Sequence, residues 1–285
     1  VGEGTTIAWC DHTFNPWWGC TNVSLGCVNC YAHTWSKRTG FDLWGAKGDR
    51  RTFSEKHWRE PLAWNAAAQR AGERRRVFCA SMADVFEDHP ALPPERAKLW
   101  PLIEATPWLD WLLLTKRIEN VSGMVPWGDN WPENVWMGTS VENQEWADRR
   151  IPILLDLPAT VRFLSCEPLI GPVDLGHFLE PGYETQGGDW TETPSVDWVI
   201  AGGESGGHAR RMAPEWARSL RDQCRPRDLP YRFDGVPFLF KQTGAVLARE
   251  WKLLDAKGED MAEWPVDLQI RQWPDPLGAA QGTLL

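Results

Sequence analysis

Three of the seven cysteines fall within eleven residues: Cys20, Cys27 and Cys30, spaced Cys-x6-Cys-x2-Cys. Soft thiolates gathered on one loop are what an iron–sulfur cluster needs. A [4Fe–4S] cube bound by three cysteines keeps one iron without a protein ligand, free to hold something else. The same loop also admits a zinc site, because His33 follows Cys30 by three residues and would complete a Cys3His set. A third reading leaves the cysteines inert or in a disulfide. The odd cysteine count and the lack of a secretory pattern over Val1–Thr6 disfavour a disulfide framework and predict a cytoplasmic protein.

Further chemistry-bearing side chains follow short apolar runs. Glu204 lies in Gly202-Gly203-Glu204-Ser205-Gly206-Gly207, where glycines allow close backbone approach and the carboxylate suits an amine or a ribose hydroxyl. Cys166 and Glu167 follow Ser165. A thiol there is a hydrogen-atom donor, a nucleophile or an ordinary core residue, and the core reading applies equally to Cys79. Lys116 and Lys241 suit a carboxylate or phosphate. Asp84, Ser140 and Glu142 form a polar set suited to ribose and amino-acid groups. His12 is an acid–base candidate, against the commoner structural role of a lone histidine.

The elements that must position these residues alternate. Apolar runs at 5–10, 76–80, 111–114, 135–138, 161–164, 198–201 and 237–240 read as strands. Helices are predicted over 31–38, 62–71, 94–105, 144–155 (disturbed by Pro152) and 214–224. Continuous apolar strands alternating with helices mean a parallel sheet covered on both faces. Polar clusters at the carboxyl ends of successive strands mark the working face of such a fold. The expected class is therefore α/β: a partial or closed (β/α) barrel of six to seven parallel strands over residues 1–248. Residues 249–285 are expected as an appendage packed on it. Two stretches break the rhythm, an irregular insertion over 41–60 and a Gly-, Glu- and Thr-rich loop over 177–194.

Composition bounds the rest. The 285 residues are 42% hydrophobic and 24% charged, ordinary for a globular chain, with no apolar run long enough to span a membrane. A net charge of −9 excludes a general polyanion binder while allowing a local basic groove near Arg50-Arg51, Arg74-Arg75-Arg76, Arg149-Arg150 or Arg210-Arg211. Twenty tryptophans are the oddest number in the composition, serving both core and binding faces.

With these residues in place, the chain resembles the three-Cys-motif proteins of phages and prophages. The resemblance is carried by Asn15-Pro16-Trp17-Trp18-Gly19-Cys20, Cys27-x2-Cys30-Tyr31, Leu114-Thr115-Lys116-Arg117, Gly138-Thr139-Ser140-Val141-Glu142, Ser165-Cys166-Glu167-Pro168, Gly202-Gly203-Glu204-Ser205-Gly206 and Phe240-Lys241-Gln242, which span nearly the whole chain. In motif and barrel it is similar to radical S-adenosylmethionine (SAM) enzymes of the spore photoproduct lyase type. Two departures stand out. The usual cysteine spacing there is Cys-x3-Cys-x2-Cys with an aromatic residue before the third cysteine, where this chain has Asn29. The usual Gly-Gly-Glu after the second strand is replaced by Ser81-Met82-Ala83-Asp84, and Gly-Gly-Glu comes late.

The resemblance implies a [4Fe–4S] cluster on Cys20, Cys27 and Cys30. SAM would be contacted by Ser81, Asp84, Lys116, Thr139, Ser140 and Glu142, and Cys166, Glu167, Glu204 and Lys241 would be catalytic. It further implies an external one-electron reductant, and a nucleobase or nucleotide in DNA as substrate for repair or modification. Two rivals remain at this stage: a non-catalytic metal-bearing partner protein, and a hydrolase using Glu167 and Glu204.

Overall fold

Each apolar run that ends in a polar cluster becomes a strand, with one exception. The computed structural model describes residues 2–186, 189–228 and 232–275. The chain divides into two compact units, Val1–Thr139 with Leu157–Thr160, and Ser140–Asp156 with Val161–Leu285.

In the first unit β1 (His12–Thr13), β2 (Arg75–Cys79), β3 (Leu109–Thr115) and β4 (Val135–Ser140) pair in that order, all parallel. The register sets His12 against Val77, Val77 against Trp111, and Leu112 against Trp136. Every residue of β4, and all but one of β3, is buried, as a sheet covered on both faces requires. Helices α1 (Tyr31–Arg38), α2 (Glu60–Ala71) and α3 (Pro93–Glu104) belong to this unit. Proline in the first turn opens α2 and α3, where its missing N–H costs nothing. Gly72, with φ +69°, closes α2 in the left-handed conformation that glycine adopts without strain.

In the second unit β5 (Val161–Cys166), β6 (Trp198–Gly202) and β7 (Phe238–Gln242) pair in parallel, with α4 (Gln144–Leu155), α5 (Pro214–Gln223) and α6 (Ala245–Glu250). Asn143 caps α4 by accepting the Trp146 N–H at 3.2 Å. The helix runs through Pro152 to Leu155; Pro152 and Asp148 are both exposed, so solvent can reach the Asp148 carbonyl that the missing Pro152 N–H leaves free. Seven parallel strands in all, four in one unit and three in the other, make this the α/β class of partial (β/α)-barrel type that the sequence predicts. Trp9, Trp17 and Trp111 fill the first unit's core and Trp198 the second's, whereas Trp35 and Trp273 are exposed.

Three expectations need correction. The first strand is not 5–10 but His12–Thr13: the Asp11 carboxylate accepts the Arg76 N–H at 2.7 Å and locks this register, and Trp9 packs on Phe78. The 41–60 stretch is more ordered than an irregular insertion. Arg51–Thr52 pairs antiparallel with Trp17–Trp18, and Glu55–Trp58 is a helical turn. The 177–194 loop is an antiparallel hairpin of Tyr183–Gln186 and Asp189–Glu192. Beyond α6 the tail lies along β7, where the Phe240 N–H donates to Ile270 and the Gln272 N–H to Phe238. Residues 276–285 of the expected appendage lie outside the described residues. No helix among the described residues is long and apolar enough to cross a membrane.

Candidate functional site

The first unit builds a thiol loop on a buried ionic frame. The Gly19 N–H donates to the Met82 carbonyl at 3.0 Å, tying the loop to the polar segment that follows β2. Gly19 has φ +114°, and a Cβ there would meet the Leu43 carbonyl oxygen at 2.6 Å, so only glycine lets the chain turn into Cys20 here. Asn15 secures the same segment: its Nδ2 donates to Ser81 Oγ at 3.0 Å and its Oδ1 accepts the Met82 N–H at 2.6 Å. The Tyr31 hydroxyl donates to the Ser81 carbonyl at 2.6 Å.

Beneath the loop, Asp84 is fully engaged. Its Oδ1 accepts from the Thr115 hydroxyl at 2.7 Å and the Phe86 N–H at 3.0 Å, and its Oδ2 from the Lys116 N–H at 3.1 Å and Arg117 Nη1 at 3.0 Å. Arg117 also donates to Cys20 Sγ at 3.6 Å and to the Thr21 carbonyl at 2.6 Å. Arg50 grips Glu87 with two bonds of 2.7 and 2.8 Å and donates to the Thr21 hydroxyl at 3.1 Å. All four charged side chains are at most 9% exposed. Burying two carboxylates with two guanidiniums keeps the frame neutral, and its hydrogen bonds offset the desolvation that a lone buried charge would suffer.

The thiols feel this environment. Burial pushes Cys20 up to about 12, with Asp84 adding to the rise and Arg117 opposing it. Cys30 is also raised by burial, against the Ala32 and His33 N–H groups at the start of α1, while Lys116 opposes the rise more weakly. The Cys27 thiol contacts Ser24 Oγ at 3.7 Å. None of the seven cysteines is in a disulfide. His33 stacks on Trp44, with centroids 5.3 Å apart. Among the described residues no three Cys, His, Asp or Glu side chains form a ready metal-holding group. Three thiols and no carboxylate on one short loop, with Arg117 and the α1 N-terminus to offset thiolate charge, fit an iron–sulfur group in donor chemistry.

A separate polar group stands in the second unit, where β5, β6 and β7 end. Lys241 Nζ lies 3.1 and 3.2 Å from the two Glu167 oxygens, and both side chains keep contact with solvent. Glu167 Oε1 lies against Gly202, where any Cβ would strike it. Glu204 is taken by Arg210, whose backbone N–H, Nε and Nη2 all donate to it, at 2.6–2.9 Å. Glu142 is wholly buried and pairs with Arg150 at 2.9 Å, and the same Arg150 nitrogen donates to the Ser140 carbonyl. Cys166 is fully buried, and desolvation raises its thiol well above the ordinary range. The buried Thr139 hydroxyl, in the first unit, donates to the Thr115 carbonyl.

The first unit thus brings Cys20, Asp84 and the Lys116 backbone together, beside Ser81, and the second joins Glu167 to Lys241. Sequence reasoning passed over Glu87, quoted Arg117 only inside a motif, and offered Arg50, Arg150 and Arg210 only as parts of a basic groove, whereas each of these three is paired with a carboxylate. The available signal was adjacency: Arg117 follows Lys116 in its motif, and Arg210 sits six residues after Glu204 on a glycine-rich loop.

No curated protein matches the chain. Among solved structures it is similar to a mutant of spore photoproduct lyase with bound AdoMet and dinucleoside spore photoproduct, at 14% identity over 84% of this chain, with a TM-score of 0.42. The chain spans 60% of that protein's length. A second likeness is to spore photoproduct lyase complexed with dinucleoside spore photoproduct, at 12% identity over 77% of this chain and 75% of that one, with a TM-score of 0.40. A family model described as a protein of unknown function, DUF5131, matches residues 4–269, and the chain belongs to that family.

Proposed function

We propose that the chain is a radical SAM enzyme whose Cys20, Cys27 and Cys30 hold a [4Fe–4S] cluster and whose substrate is a nucleobase or nucleotide in DNA, repaired or modified. The observation that carries this reading is the thiol loop itself: three cysteines from 20 to 30, the first bonded to Arg117 and the last at the N-terminus of α1. When bound, the cluster supplies an open iron and one electron, taken from an external reductant, to split the C5′–S bond of SAM into methionine and a 5′-deoxyadenosyl radical.

The chain's own residues have plainer tasks. Arg117 holds the loop against Asp84 and would balance the thiolate charge of a cluster-bound Cys20. Asn15 and Tyr31 keep the Ser81–Met82 backbone in place beside it. The half-buried Glu167–Lys241 pair is a donor–acceptor couple that suits the amino-acid or ribose groups of a ligand. Asp84, Glu142 and Glu204 are each committed to an arginine, so they act as positioning residues. That commitment to Arg210 weighs against Glu204 as one of the two carboxylates of a hydrolase.

Anaerobic reconstitution with iron and sulfide tests the reading. Wild-type protein should bind stoichiometric iron, and Cys20→Ala, Cys27→Ala and Cys30→Ala should each lose it. Cys79→Ala and Cys224→Ala should keep it. Full iron in all three loop variants would remove the cluster from this site and favour a non-catalytic partner protein.

A further inference from the structure

The N-terminal stretch that holds the thiol loop has an excess of basic residues that the chain as a whole lacks. Residues 1–81 carry eleven Lys and Arg against seven Asp and Glu, whereas the full chain has a net charge of −9. Arg51 lies directly across the short antiparallel pair from Trp18. Its guanidinium sits 4.5 Å from the ring centres of both Trp18 and Phe41 and 5.6 Å from that of Phe53. Trp35 stands edge-on to Trp18 at 4.9 Å. No carboxylate pairs with Arg51, Lys37 or Arg38 among the described residues, although most arginines of this chain have such a partner. Trp35 is 41% exposed and Phe41 36%.

Cations without a carboxylate partner and the partly exposed rings of Trp35 and Phe41 answer two different parts of one ligand. Guanidinium and ammonium groups take phosphates, and indole and phenyl faces take bases in a sequence-tolerant stack. An acidic peptide would use the cations and leave the rings unoccupied. A duplex hides its base faces from Trp35 and Phe41.

We propose that the surface carrying Arg51, Phe41, Trp35 and Arg38, with Lys37 adjoining it on α1, docks single-stranded nucleic acid. This deepens the proposed function by naming how a strand would be held. The docking requires neither cluster nor SAM, so either proposal can fail without the other.

The test is fluorescence anisotropy of a labelled oligo(dT) of about 12 nucleotides, a length within single-strand site sizes, added to the unreconstituted full chain. Three phosphate contacts give a log–log salt slope of about −2, so affinity should fall roughly 20-fold between 50 and 200 mM salt. Lys37→Glu/Arg38→Glu changes two exposed side chains that have no carboxylate partner and should keep its fold by circular dichroism. It should bind at least about tenfold more weakly, and Trp35→Ala should lose about tenfold through stacking. An abasic strand of equal length should bind as weakly to wild type as oligo(dT) binds to Trp35→Ala. The proposal is overturned if wild type does not bind, if both variants bind like wild type, or if polyglutamate or duplex competes as well as oligo(dT).

Discussion

Arg117 Nη1 lies 3.6 Å from Cys20 Sγ and 3.0 Å from Asp84 Oδ2, so one guanidinium nitrogen joins the first thiol of the loop to a buried carboxylate. Ninety-seven residues separate Cys20 from Arg117 in sequence, and the contact fixes where the loop begins. Burial alone works against the charge of Arg117, but the Asp84 carboxylate holds it cationic.

Removing that guanidinium should therefore cost stability. Arg117→Met leaves Asp84 buried without its cation and should destabilise by about 3–5 kcal/mol in urea unfolding. The double variant Arg117→Met/Asp84→Asn should lose less than the sum of the two single changes, because the residues share one network.

The carboxylates should separate by burial. Glu142→Gln breaks a pair whose side chains are 0% and 2% exposed and should cost about 3–5 kcal/mol. The Glu167–Lys241 pair keeps 13% and 20% exposure, and Glu167→Gln should cost no more than about 1 kcal/mol. Urea midpoints with unchanged slopes would measure both. Equal losses would mean that Glu167 is as structural as Glu142.

Gly202→Ala probes the same place from the backbone. Its added Cβ would collide with Glu167 Oε1, an atom at the end of a side chain that can swing away. The variant should fold, with a destabilisation of about 1–3 kcal/mol from overpacking, and should lose the Glu167–Lys241 pair. The Lys241 chemical shift would report that loss.

Acid should weaken the second unit at a defined place. Hydrogen bonds from Arg218, and then Arg221, hold the Asp267 carboxyl down at about 2, below its ordinary 3.8. A depressed carboxylate contributes stability above its unfolded value, and that contribution fades as pH falls through the window from 3.8 to about 2. Asp267 is 42% exposed, so the effect should stay below about 1 kcal/mol. Asp267→Asn should lower the urea midpoint near neutral pH and match wild type at the acid end. An equal difference at both ends would contradict this.

Much of this arrangement was legible in the sequence, because much of it is local. The bounds of α1 and α4 follow from residue pattern alone, since an N-cap, a closing glycine or a helical period acts within a few residues. The first strand was misplaced because its position depends on a partner more than sixty residues away, through the bond from Arg76 to Asp11. The same distance hid the fate of the carboxylates. Asp84, Glu142 and Glu204 stand at strand ends as expected of ligand contacts, yet each is already held by an arginine. No spacing rule shows which cation reaches which carboxylate. Of the twenty tryptophans, only packing separates Trp111 in the core from Trp35 at the surface.

The central claim is that the loop of Cys20, Cys27 and Cys30 holds a cluster whose open iron takes SAM. Its most direct test is the EPR spectrum of the reconstituted, dithionite-reduced protein before and after SAM is added, with 5′-deoxyadenosine assayed in the same samples. The reduced-cluster signal should shift on adding SAM, 5′-deoxyadenosine should appear among the products, and Cys27→Ala should show neither. A cluster signal that SAM leaves unchanged, with no 5′-deoxyadenosine formed, would contradict the claim.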